Sequence, residues 1–183
     1  MVETTTPVCR FGAPAPDFAL PDPSGRVWTL DECKGRKGTI VMFICNHCPF
    51  VKAILDRLVR DTRELEGHGV SSVAIMSNDS SRYPEDSREN MAIVAQQHDF
   101  CFPYLVDDDQ RIAKAYGAVC TPDFFAYNAD LGLQYRGRLD ASGMRAAPAD
   151  ARRELFEAML QVARTGSGPV EQVPSIGCSI KWL

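Results

Sequence analysis

The sequence has no run of 18 apolar residues, so no segment reads as a membrane-spanning helix. Its opening, MVETTTPVCRFGAPAPDF, lacks a basic start followed by an apolar stretch, and no secretory signal is expected there. No block of like charge and no basic stripe occurs, and the net charge is only -4. Nucleic-acid binding, which needs a concentrated basic surface, is therefore not expected. Internal repeats and low-complexity segments are missing too, which leaves an ordinary folded domain.

Apolar residues make up 45% of the 183 positions and charged residues 24%, as in a water-exposed globular protein with a real core. A single domain over residues 1–183 is expected, with its core at about 12–164 and an irregular tail at 165–183. The seven cysteines are an odd number, and only Cys45 and Cys48 form a short motif. Disulfide frameworks more often show even counts in shorter secreted chains. The better reading is a reducing compartment, the cytoplasm, with a few cysteines kept for chemistry.

The elements follow an α/β order. DFAL (17–20) and RVWTL (26–30) read as the arms of an N-terminal β-hairpin around the turn DPSG. TIVMFI (39–44) is a continuous apolar run rich in β-branched residues, suited to a strand buried on both faces. Val51, Ile54, Leu55, Leu58, Val59 and Leu65 then recur at helical spacing up to the glycines of GHG. VSSVAIMS reads as the next strand, and SSRYPEDSRENMAIVAQQHD as a helix with serine caps and Pro84 near its first turn. FPYLVD (strand), DQRIAKAYG (short helix), DFFAYN and LQYRGRLD (antiparallel strands) and PADARRELFEAMLQVARTG (amphipathic helix) complete the order. This pattern predicts a mixed central sheet flanked by helices on both faces. A reactive group in such a sheet is expected beyond the carboxyl end of a strand, where Cys45 stands.

The motif is Cys45-Asn46-His47-Cys48. A thiolate, not a thiol, is the nucleophile, and a free cysteine is mostly protonated at neutral pH. A position just ahead of a helix favours an anion, and His47, when protonated, favours it further. The spacing lets Cys48 resolve a mixed disulfide formed at Cys45. A zinc site usually needs four ligands, and only one such pair exists here.

GAPAPDFAL (12–20), the strand-to-helix CNHC (45–48) and CTPDFFAYN (120–128) together resemble the thioredoxin-like superfamily. The likeness is to its redoxin branch, the alkyl hydroperoxide reductase and thiol-specific antioxidant relatives. It implies a thioredoxin-like fold and a thiol-disulfide oxidoreductase in which Cys45 attacks, Cys48 resolves and His47 tunes the thiolate. It also implies a cis bond between Thr121 and Pro122 that shapes substrate approach. The cofactor is then the redox-active disulfide itself. The substrate is a protein or small-molecule disulfide or thiol, and thioredoxin or glutathione is the electron donor.

The chain departs from its relatives in three ways. Asn46-His47 replaces the Gly-Pro usual in thioredoxins, and a histidine before the second cysteine resembles protein disulfide isomerases. That favours the reduced form and a less reducing potential. Pro49 removes an N–H and can move the helix start to Cys48. Peroxiredoxins carry proline seven residues and threonine three residues before the peroxidatic cysteine. Here those places hold Gly38 and Met42 before Cys45, or Val41 and Cys45 before Cys48.

Two other functions remain open: a thiol peroxidase using Cys45 or Cys48, and a metal-binding or metal-delivery protein using both with a third cysteine. Thiolate and imidazole suit copper(I) or zinc. Cys120 has three open roles, resolving a disulfide, ligating a metal, or packing. Cys178, in the tail, is a second candidate accessory thiol. His68 and His98 read as surface residues, DDDQ (107–110) as a helix-start cluster, and Lys52 as a solvated lysine. Arg82 and Tyr83 read as neighbours of the site.

Overall fold

The protein is described here by a computed structural model covering residues 3–183. Its centre is β4 (Gly38–Phe43), buried along its whole length. On one side β4 runs parallel to β5 (Val70–Met76), which runs parallel to β6 (Tyr104–Val106). On the other side it pairs antiparallel with β8 (Asp123–Asn128), and β8 with β9 (Leu133–Tyr135). The result is a five-stranded mixed sheet of order β6-β5-β4-β8-β9.

Alternate residues of β4 enter different cores. Ile40 and Met42 pack with Leu58, Leu65, Met91, Leu155 and Met159. These come from α3 (Leu55–Glu66), α4 (Arg88–Gln97) and α6 (Glu154–Thr165). Val41 and Phe43 pack with Phe18, Leu20 and Leu30 from the N-terminal segment, and with Tyr116 of α5 (Arg111–Tyr116). Both faces are covered, so the strand has no polar alternation. Removing the fully buried Leu58 side chain by Leu→Ala costs about 2–5 kcal/mol.

The hairpin is present as β2 (Ala19–Pro21) and β3 (Val27–Thr29), paired antiparallel. Its second arm is shorter than RVWTL suggests. Thr29 caps α1 (Leu30–Cys33) in a capping box with Glu32. The single helix expected after the cysteines is two: α2 (Pro49–Lys52) and α3. Between them the bonding tightens, with Ile54 N–H donating to Val51 O at 3.0 Å. In the PED segment Pro84–Asp86 forms a separate 3-10 turn, and Ser87 caps α4.

The tail corrects the sequence reading most. Residues 165–183 were expected to be irregular, yet Ile176–Ser179 forms a strand, β10. It lies antiparallel between β1 (Glu3–Thr5) and β7 (Cys120–Thr121) in a three-stranded sheet. Gly177 permits this approach: a Cβ there would lie 2.1 Å from the Thr121 carbonyl oxygen. Among the described residues, no helix is long and apolar enough to cross a membrane.

Candidate active site

Cys45 stands just past the carboxyl end of β4, and Cys48 is the N-cap of α2, with Pro49 in its first turn. Proline suits that position because its missing N–H has no helical partner to lose. The helix thus begins at Cys48 rather than Cys45, the shift Pro49 allowed for. Both cysteines are buried, 1% and 0% exposed.

Thr121 touches both sulfurs. Its Oγ1 lies 3.4 Å from Cys45 Sγ, and its carbonyl accepts from the Cys48 thiol at 3.2 Å. The Thr121–Pro122 bond is cis. Behind it, Asp123 is fully buried and pairs with Arg136 at 2.9 Å. Burial pushes the Asp123 carboxyl up, although Arg136 pulls against it.

A polar wall stands on the Cys45 side. Asp86, fully buried, accepts the backbone N–H groups of Asn46 (2.8 Å) and His47 (3.2 Å). Its other oxygen meets His47 Nδ1 at 2.7 Å and accepts from the Asn78 amide at 2.8 Å. Tyr83 stacks on the His47 ring, with centroids 5.2 Å apart and planes at 9°. The same His47 nitrogen lies 3.9 Å from Cys45 Sγ. The hydrogen bond to Asp86 raises the His47 pKa above the ordinary imidazole value, while burial opposes it. Burial pushes the Asp86 carboxyl up, but the hydrogen bonds from His47, Asn78 and Asn46 outweigh this and hold it low.

Sulfur and backbone form the wall on the Cys48 side. Cys178, on β10, lies with its sulfur 3.0 Å from Cys48 Sγ. Hydrogen bonding from Cys45 is the largest influence on Cys48. With help from Cys178, Thr121 and the Val51 N–H, it outweighs burial and lowers Cys48 to about 4. Cys45 moves the other way, well above its usual value, through the same sulfur–sulfur bond, burial and the Asp86 charge. The two thiols titrate together, with Cys48 pulled down and Cys45 pushed up. The expectation from the sequence was a thiolate at Cys45, and these shifts point the other way. Cys48, not Cys45, is at the N-cap of α2, and the His47 ring is engaged by Asp86 at 2.7 Å. Burial and the neighbouring Cys48 push Cys178 up to about 12.

Cys120 is fully buried, and its thiol points to the Pro122 carbonyl at 3.6 Å, the packing role among the three left open. Burial raises its pKa strongly. Lys52 and His68 are exposed, and His98 meets Asp56 at 3.2 Å. Asp107 accepts the N–H groups of Ile112 and Ala113 at the start of α5, as a helix-start cluster should. Sequence reasoning missed Asp86 and Asn78 as site residues. Their only signal was their position after the end of β5.

One ligand atom from each of Cys45, His47 and Asp86 falls within 4.8 Å of the others, so these three could hold a soft or borderline cation. Cys48 is not in that set. Beside Pro122 opens a cavity of about 290 Å³, lined by Phe50, Phe124, Leu139, Met144 and Ile176 among others.

A cysteine pair past a central strand, facing a cis-proline in a mixed sheet flanked by helices, defines a thioredoxin-like oxidoreductase. The chain belongs to the AhpC/TSA family, whose pattern matches residues 11–141. It is similar, at 44% identity and a TM-score of 0.93, to an uncharacterized conserved protein from Geobacillus kaustophilus, with 100% of this chain and 97% of that one covered. It is also similar to a hypothetical protein from Sinorhizobium meliloti 1021, at 39% identity and a TM-score of 0.89, covering 98% of each chain. The thioredoxin domain of a thiol-disulfide oxidoreductase from Bacteroides vulgatus shares the fold at 16% identity and a TM-score of 0.58, over 69% of this chain and 86% of that one. No curated protein matches the chain.

Proposed function

We propose that the protein is a thiol-disulfide oxidoreductase that cycles Cys45 and Cys48 between dithiol and disulfide. The observation that carries this is the buried cysteine pair just past β4, with Thr121 within reach of both sulfurs; the downward shift of Cys48 supports it. The Cys48 thiolate attacks a substrate disulfide and expels one substrate thiolate. The Cys45 sulfur then attacks Cys48, gives up its proton to the departing thiolates, and releases the second half of the substrate. One substrate disulfide becomes a thiol and a thiolate, the latter protonated from water, and the Cys48 thiolate and Cys45 thiol become one disulfide. These roles reverse the order expected from the sequence.

His47 and Asp86 position the motif, and Thr121 and Pro122 form the approach face. The apolar cavity beside Pro122 suits a peptide disulfide with apolar flanking side chains, taken ahead of a free small thiol. Thioredoxin or glutathione returns the electrons in the cytoplasm. No metal or organic cofactor takes part. A stabilised thiolate favours the reduced form, so the couple is expected to be less reducing than thioredoxin, at about -270 mV.

Trapping tests the assignment. Cys45→Ser forms its mixed disulfides at Cys48, whereas Cys48→Ser loses exchange activity to background. Mixed disulfides confined to Cys45 in the Cys48→Ser chain would reverse the roles. Redox titration against glutathione checks the potential, and a value at or below that of thioredoxin rejects it. Stoichiometric metal in protein purified without added metal favours the metal-binding reading instead.

The low Cys48 pKa and the family also favour a second reading, a thiol peroxidase at Cys48. Peroxide then oxidises Cys48 to a sulfenic acid, and Cys45 condenses with it, releasing water and leaving the same disulfide. Rapid peroxide consumption by the reduced protein selects this reading. Slow consumption together with fast disulfide exchange selects the first.

A further inference from the structure

We propose that Cys178 is a second resolving thiol, so that Cys48 is the shared sulfur of two mutually exclusive disulfides, Cys45–Cys48 and Cys48–Cys178. This rests on the proposed redox role of Cys48. The two sulfurs already lie 3.0 Å apart, about 1 Å beyond a disulfide bond.

The approach is built into the backbone. β10 pairs Cys178 directly with Thr121, the residue whose oxygens touch both Cys45 and Cys48. The neighbouring Gly177 leaves no room for a side chain against the Thr121 carbonyl, so a bulkier residue would push β10 and its sulfur away. The strand is held at its far end as well. Lys181 N–H donates to Asn78 Oδ1 at 2.8 Å, and the Asn78 amide donates to Asp86. Gln110 reaches the Lys181 carbonyl at 2.8 Å. Cys178 is therefore fixed between the approach face and the polar wall of the same site. Cys120, one pairing position away, directs its thiol to Pro122 instead.

The chemistry balances without an added reagent. In the mixed disulfide between Cys48 and substrate, the Cys178 sulfur attacks Cys48. The Cys48–substrate bond breaks, and the substrate thiolate leaves with the Cys178 proton. The product is a Cys48–Cys178 disulfide. Cys45 can then attack Cys48, forming Cys45–Cys48 and returning Cys178 to the thiol, with no net oxidation in that second step. A substrate that blocks Cys45 would still be released, and the oxidised intermediate would tie β10 to α2.

The test uses the full chain and oxidised glutathione, with acid quenching and mass-spectrometric mapping of linked peptides. Cys45→Ser is expected to give a Cys48–Cys178 link and only a transient glutathione adduct on Cys48. In Cys45→Ser/Cys178→Ser the adduct persists, its lifetime lengthened about tenfold or more by loss of a pre-positioned thiol. An adduct equally long-lived with and without Cys178 overturns the proposal. The unaltered chain supplies a reading that no folding defect can confuse. Early quench times should show Cys48–Cys178 peptides with Cys45 alkylated, and their absence at every time overturns the proposal. If the unaltered chain forms no Cys45–Cys48 link either, the redox reading itself has failed. If it forms that link alone, only the role of Cys178 has.

Discussion

The two walls of the thiol site are made of different materials. On the Cys45 side a buried carboxylate, an imidazole and an amide hold the motif through charge-assisted hydrogen bonds. On the Cys48 side the contacts are a sulfur, a carbonyl and the bend of a cis-proline. Charge-assisted bonds are roughly twice as strong as neutral ones, so the Asp86 wall carries rigidity. The Cys178 wall brings its sulfur to 3.0 Å from Cys48. The difference also bears on the two thiols: the Asp86 charge helps to push the Cys45 pKa up, while hydrogen bonding from Cys45 pulls Cys48 down.

Asp86→Ala should break the stronger wall with the largest effect. It strands two backbone N–H groups, the Asn78 amide and the His47 ring nitrogen that faced the carboxylate. A loss of about 3–5 kcal/mol is expected by denaturant unfolding. A loss below that of an ordinary surface substitution would show that the wall is not a support. Gly177→Ala attacks the other wall, where the added methyl would meet the backbone of Thr121 and Pro122. It should cost about 1–3 kcal/mol and raise the Cys48 pKa as β10 withdraws, read from thiolate absorbance against pH.

The two walls were also unequally legible. The strand-to-helix CNHC, the central TIVMFI strand and Pro122 follow from local patterns, and the structure has each in its expected place. β10 did not follow, because SIGCS has little strand propensity and is held by pairing with β7 and β1, partners 50 or more positions away. Asp86 lay unremarked inside the stretch read as a helix with serine caps. Its real role depends on a fold that brings it 39 residues along the chain to His47. The helix start depends on a local feature: with Pro49 in the first turn, Cys48 and not Cys45 stands at the N-cap.

The charge of the polar wall gives it a pH signature that the sulfur wall lacks. The His47 pKa is raised in the folded state, so its contribution is fully present below the unfolded imidazole value and is lost as pH rises through the folded one. The Asp86 pKa is depressed, so its contribution is present above the unfolded carboxyl value and is lost as pH falls through the folded one. The ion pair therefore stabilises the fold between these limits. The difference in Tm between the natural chain and Asp86→Asn should peak in the mildly acidic range. A flat difference across that range would mean that the pair is not ionic.

Cys178→Ala is expected to have the smallest effect and makes the sharpest separation of the two walls. It removes one weak sulfur–sulfur hydrogen bond of Cys48, worth about 1 kcal/mol or less. The Cys48 pKa should rise by less than about one unit, since one unit corresponds to about 1.4 kcal/mol. Burial of a small apolar group keeps the stability loss in the same range. Thiolate titration and thermal unfolding read the two quantities on the same sample. A large rise in the Cys48 pKa would mean that the tail sulfur, not the helix start and Thr121, holds the thiolate. The weaker wall would then be the one that sets the reactivity of the site.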